Sequence, residues 1–253
     1  MTVIVWTGRA FRYEQRSFWR EPAGKFFTVA MPVLMLTVFG GLNGDSRIHE
    51  LGGIRFSRYM TVGMVAFSLV TTTYGMLSAR VTFRRESGIY QRLRTTPLPA
   101  GAFVAGQVLN ALSVVALTIA ILLVVGTTFY DGTWPTNWPL FALVLVVGAA
   151  SCSAIGMAVS TFVPSGEAID PVIWGTMMPI TFISGMFEYV PPHSTIGRIA
   201  SLFPVSHLLQ ALLRAFGLPG ATGPLWEHLG VVALWGVVGG AVAVRRFRWA
   251  PHR

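Results

Sequence analysis

Six stretches of this chain run without charged side chains for long enough to cross a lipid bilayer, and that pattern limits the fold before anything else does. A hydrocarbon layer of about 30 Å needs roughly 20 apolar residues in a helix, since nothing within it can hydrogen-bond an exposed backbone. The first stretch lies between Lys25 and Asp45, and the second runs from Tyr59 to Ala79. The third and fourth occupy roughly Phe103 to Val125 and Pro139 to Thr161. The fifth lies between Asp170 and Glu188, and the sixth between Glu227 and Arg245. Only 11% of the 253 residues are charged, against about 25% in an ordinary soluble domain, so a bilayer must cover surface that charge would otherwise cover. The expected fold is an all-α integral membrane protein with six transmembrane helices, forming one domain over residues 1–253. The first apolar run exceeds a signal-peptide core and is followed by no small-residue cleavage site, so it is expected to stay as an anchor.

A seventh apolar piece, Ile199 to Leu213, is too short to span and is interrupted by Pro204, with Ser206, His207 and Gln210 inside it. It reads as two short amphipathic pieces, a re-entrant or interfacial hairpin within an outer segment over 188–227. Orientation follows from Lys and Arg. Arg9, Arg12, Arg16, Arg20 and Lys25 precede the first span; Arg80, Arg84, Arg85, Arg92 and Arg94 follow the second; Arg245, Arg246, Arg248 and Arg253 follow the sixth. These are fourteen of the nineteen basic residues. The positive-inside rule therefore places both termini in the cytoplasm. It also accounts for the net charge of +9 without nucleic acid.

Residues 1–22 read as an amphipathic helix rather than a span. Arg9, Arg12, Arg16 and Arg20 form a basic stripe, while Ile4, Phe11 and Phe18 recur every seven residues on the other side, and Pro22 ends the helix. Such a helix lies in the membrane interface with its rings among lipid chains. Glu14 falls near the apolar side and does not fit the pattern.

Catalytic and cofactor signatures are missing. No Gly-x-x-x-x-Gly-Lys-[Ser/Thr] loop is present to cradle a nucleotide, and no His-Glu-x-x-His. The five histidines lack ligand spacing, and the single cysteine, Cys152, excludes an internal disulfide and a cysteine metal cluster. No catalytic residue, metal ligand or cofactor is assigned to this chain. The spans carry no mid-depth charge of the kind that binds a coupling ion. Asp170 followed by Pro171 reads as a helix N-cap and first residue. Ser184 and His228 leave an intramembrane serine protease as a remote alternative, and an ion-coupled secondary transporter as another. Gly148, Cys152, Gly156 and Ser160, spaced by four, put a shallow groove on the fourth span, and Gly236 and Gly240 do so on the sixth. Thr71 and Thr72, with Trp174 and Met178 on the fifth span, are candidates for a substrate path; the threonines equally suit bonding to their own helix.

The second basic segment, residues 83–94, predicts a short amphipathic helix in which Ile89 and Leu93 share one face and which stops before Pro97. Its pattern Arg85-Glu86-x-Gly88-Ile89-x-x-x-Leu93-Arg94-x-Thr96-Pro97-Leu98 resembles the signature loop of type-2 ABC transporter permeases, especially the daunorubicin-resistance drug-export branch. Ser184-Gly185-Met186-Phe187, Pro191-Pro192, Phe203-Pro204 and Leu213-Arg214 are similar to that family's outer hairpin. The resemblance implies an exporter permease in a bacterial cytoplasmic membrane, paired with a second permease, identical or related. It implies two copies of a separate ABC ATPase that binds the ATP and Mg, and a coupling helix over 83–94, with Arg84, Arg85, Glu86, Gly88, Ile89 and Leu93 as the coupling residues. The substrate class it implies is hydrophobic or amphipathic, a drug or a lipid-like compound, with polysaccharide or a lipid-linked glycan as the alternative.

Overall fold

The computed structural model describes residues 3–89 and 100–246. Helix α1 (Val3–Arg20) ends before Pro22, as the proline requires, and one turn over Pro22–Lys25 leads into α2 (Phe26–Asn43). A small antiparallel pair follows, β1 (Arg47–Ile48) with β2 (Ile54–Arg55), turning through Gly52 and Gly53 at φ 71° and 78°. Then come α3 (Phe56–Glu86), α4 (Ala100–Phe129), α5 (Trp138–Phe162), α6 (Gly166–Ile183), α7 (Thr195–Ala200), α8 (Pro204–Ala215) and α9 (Leu225–Arg246). The protein is an all-α membrane protein. Among the described residues, α2, α3, α4, α5 and α9 are long and apolar enough to cross a bilayer. The fifth expected span is α6, whose 18 residues include Glu167 and Asp170. The apolar piece too short to span does form two short helices, α7 and α8, the second opening at Pro204 with Phe203 as its N-cap.

Helix α3 is the post around which the others stand. In its most apolar window 94% of residues are buried, against 22% in α2 and in α9. Tyr59, Met64, Phe67 and Leu69 contribute to a core shared with Leu122 of α4, Val144 of α5, Ile169 of α6 and Leu208 of α8. At 31 residues α3 is about 46 Å long, some 16 Å more than the hydrocarbon thickness. At one end, Tyr59 Oη donates to Gly185 O at 2.6 Å, and the N–H groups of Thr136 and Asn137 both donate to Ala215 O. Arg58 also pairs with Asp131 there at 3.0 Å. The other end carries Arg80, Arg84, Arg85 and Glu86.

Two sequence expectations change. The α6 N-cap is Ser165, whose hydroxyl accepts from Ala168 N, so Asp170 and Pro171 lie inside the helix rather than opening it. Ser165 begins the helix earlier because it and Glu86 satisfy its first N–H groups. In α1, the four stripe arginines are exposed, but the opposite face does not look only onto lipid. Phe18 is fully buried, Phe11 is partly buried, and Ile4 is 81% exposed. Helix α1 packs along α4, and a Cβ on Gly106 would come within 2.6 Å of the Ala10 Cβ.

The small-residue stripe of α5 is a packing face. A Cβ on Gly148 would stand 2.7 Å from Leu208 and 2.9 Å from Leu69, and one on Gly156 would stand 2.8 Å from the Tyr74 carbonyl. On its other side α5 meets α9, where Gly236 sits against Ser151, and Gly239, not Gly240, makes the closer approach, to the Ile155 backbone. Because Tyr74 presents backbone, which cannot rotate away, Gly156→Leu is expected to cost about 1–3 kcal/mol. A lowered melting temperature of the purified chain checks this; an unchanged one would remove the α3–α5 contact as a packing constraint.

Candidate functional site

Three consecutive residues end α3, and each holds a different neighbour. Successive helical residues point about 100° apart, so a run of three sweeps most of the circumference. Arg84 forms a two-pronged pair with Glu14 of α1: Nη2 donates to Oε2 at 2.8 Å and Nη1 donates to Oε1. Arg85 is 1% exposed and reaches α5, its Nη1 donating to Ser160 O at 2.9 Å and its Nη2 to Val163 O. These carbonyls terminate α5, where a cation suits both the unpaired acceptors and the negative end of the helix dipole. Glu86 turns to α6 and accepts from Gly166 N at 2.6 Å, placing an anion at the positive end of that helix. Gly166 leaves room for this, since a Cβ there would stand 2.5 Å from the Phe83 ring.

Glu14 explains its own misfit. The carboxylate is fully buried, bonded by Arg84 and by Arg80 Nη1 at 3.3 Å, while the Arg80 guanidinium lies 5.4 Å over the Phe18 ring. The apolar side of α1 faces the basic end of α3, so an acid in that face meets arginines instead of lipid chains. The helix expected over 83–94 also differs in its described part. Phe83 to Glu86 close α3, and the chain then turns at Gly88, φ 68°, because a left-handed residue cannot continue a right-handed helix. Arg84, Arg85 and Glu86 are thus anchors at the end of α3. Ile89 is the last described residue before residues 90–99, and Leu93 lies outside the described residues.

Beside this end is a cleft of about 400 Å³ between α2, α3 and α6. Phe27, Thr28, Thr71 and Trp174 line it with Met177, and Arg80 and Asp170 bring charge to it. Both helix runs that face it are wound as π turns, Phe26–Ala30 in α2 and Thr71–Met76 in α3. Arg80 Nη2 makes no hydrogen bond and stands 4.0 Å from the Glu21 carboxylate. Of the candidate path residues, Thr71 and Trp174 line the cleft, with the Trp174 ring 5.4 Å from that of Phe27. Thr72 is fully buried elsewhere and donates to Ser68 O, and Met178 packs on the core, so Met177 is the methionine that faces the cleft. The Thr71 hydroxyl likewise donates to its own helix, at Phe67 O. At the opposite end Ser184 Oγ has no hydrogen-bond partner, so neither His228 nor another base activates it, and the protease reading loses its geometry.

Removing the Glu14 carboxylate would leave two arginines together in a buried site. Glu14→Gln is expected to lower stability by about 3–5 kcal/mol. In a double-mutant cycle, Glu14→Ala with Arg84→Ala should lose less than the sum of the single variants. Melting temperatures of the purified chain check both; additive losses would mean that the pair contributes nothing as a pair.

The sequence comparisons agree with this architecture. The chain is similar to the inner membrane transport permease YadH of Escherichia coli K12, 24% identical over 233 residues, 87% of this chain and 89% of that one. It is similar to nodulation protein J of Neorhizobium galegae, 25% identical over 244 residues, 91% of this chain and 88% of the other. The model of the ABC-2 type transporters matches residues 7–216, a span that takes in most of α1, the three anchors of α3, the cleft and α8, and the chain belongs to that family.

Proposed function

We propose that this chain is the permease subunit of an ATP-driven exporter, with both termini and the basic end of α3 in the cytoplasm and α6 crossing the membrane as the fifth of six spans. The ATP and Mg belong to two copies of a separate ABC ATPase, and a second permease, identical or related, completes the path. Helices α7 and α8 form the outer hairpin.

The observation that carries this reading is the three-way anchor at Arg84, Arg85 and Glu86. A subunit with no nucleotide loop must receive its stroke through a contact, and residues 89–94 follow the anchor directly. A push there is delivered to α1 and α5 through the buried bonds of Arg84 and Arg85, and to α6 through the partly buried bond of Glu86. Because α6 forms one wall of the cleft, moving it alters the cleft's width. The cleft, with Trp174, Phe27 and Met177 beside the charged Arg80, Glu21 and Asp170, suits an amphipathic compound with a polar head, such as a drug or a lipid-like molecule.

The test uses the permease co-expressed with its ATPase and reconstituted in liposomes. Ile89→Asp with Leu93→Asp is expected to leave membrane insertion intact, to abolish ATP-dependent export and to weaken ATPase co-purification by tenfold or more, because a carboxylate in a buried contact empties the docked state. The control is Ile4→Asp on the lipid-facing side of α1, which should chiefly disturb interfacial anchoring and leave ATPase co-purification unchanged. Normal ATP-dependent export by the 89/93 variant would show that this segment is not the coupling element.

A further inference from the structure

Two histidines join α8 to α9 at the end of the molecule away from the three anchors. His207 and His228 are 9% and 5% exposed, and their Nδ1 atoms stand 2.8 Å apart. The other nitrogen of each ring faces a backbone carbonyl: His207 Nε2 is 2.9 Å from Ser201 O, and His228 Nε2 is bonded to Thr222 O. A carbonyl only accepts, so both Nε2 atoms must carry hydrogen. A neutral imidazole has one such hydrogen. With it on Nε2, each Nδ1 presents a lone pair, and two lone pairs face each other across a hydrogen-bond distance.

One additional proton resolves the conflict. One ring becomes imidazolium and donates its Nδ1–H to the lone pair of the other. A second additional proton restores the conflict, now as hydrogen against hydrogen and cation against cation. We propose that His207 and His228 together form a binding site for a single proton, and that this proton ties α8 to α9. A metal ion fits less well: two nitrogens on one tetrahedral zinc stand about 3.4 Å apart. Nor, among the described residues, does a third His, Cys, Asp or Glu join them in a metal-binding group.

The surroundings allow exchange of that proton. The pair lines a pocket of about 200 Å³ whose Thr222, Gly223 and Glu227 are exposed. Arg214 of α8 and Glu227 of α9, opposite in sign, are the charged side chains that act on His228. Helix α6 brings its C-cap residue, Ser184, to the same pocket, and the segment after α7 brings the Ser201 carbonyl. Against α8, α3 and α5 present Leu69 and Gly148 around Leu208, which carry no charge.

Two measurements on the full chain in detergent test the site. In a ¹⁵N-histidine-labelled sample at about pH 6.5, where imidazole titrates, the expected spectrum contains an Nδ1–H coupled to a second Nδ1 across the hydrogen bond; two neutral rings with bare Nδ1 atoms would overturn the proposal. The second is melting temperature against pH. The wild type should be most stable in the range where imidazole titrates, falling by about 2–4 °C on the alkaline side as the shared proton leaves. His228→Asn sets an amide nitrogen at the Nδ1 position, able to donate to His207 without an added proton, and should lose that alkaline fall. Curves that run parallel at every pH would overturn the proposal. So would zinc that stabilises the wild type and not the variant, since the site would then be a metal site.

Discussion

The basic end of this protein depends on one geometric fact: neighbouring residues on a helix point in different directions. Arg84, Arg85 and Glu86 leave α3 toward α1, α5 and α6, and each meets a group that would be costly to leave alone in a buried setting. Glu14 is a buried carboxylate, Ser160 and Val163 offer the last carbonyls of α5, and Gly166 offers the first N–H of α6. No hydrophobic force holds helices together inside a lipid phase, so such bonds at the membrane edge help fix which helices stand beside α3. Small residues do the corresponding work at mid-depth, where Gly148 and Gly156 let α5 lie against α3.

Much of this was legible in the chain, because the bilayer demands long apolar runs and the runs are bounded by charge. Helix α1, its end before Pro22 and the two short helices near Pro204 followed from proline and polarity. What escaped reading was pairwise. Glu14 looked like a flaw in an amphipathic pattern, since its partners Arg80 and Arg84 lie more than sixty residues away. Asp170 before Pro171 had the chemistry of a cap, yet Ser165 and the distant Glu86 took that role. The arginines of 84–85 were grouped with the segment that follows, although Gly88 already marked the break. The histidine pair had no signal at all, as the rings are brought together only by the turn between α8 and α9.

The cleft shows a related use of irregular backbone. Both π turns, in α2 and α3, widen their helices on the side facing Trp174 and Met177. A π turn weakens the regular ladder locally, and such turns gather at functional sites. The cleft therefore borders the π turns of two helices and reaches one of the anchors, Arg84.

Arg85 carries a consequence for how such proteins diverge. Its partners are main-chain oxygens, which every residue type supplies equally. As far as this bond is concerned, positions 160 and 163 can change residue type within the limits of their buried packing, and no compensating change at position 85 is needed. A contact that spans 75 residues would leave no trace of paired variation between its two ends, however strongly the arginine itself is kept.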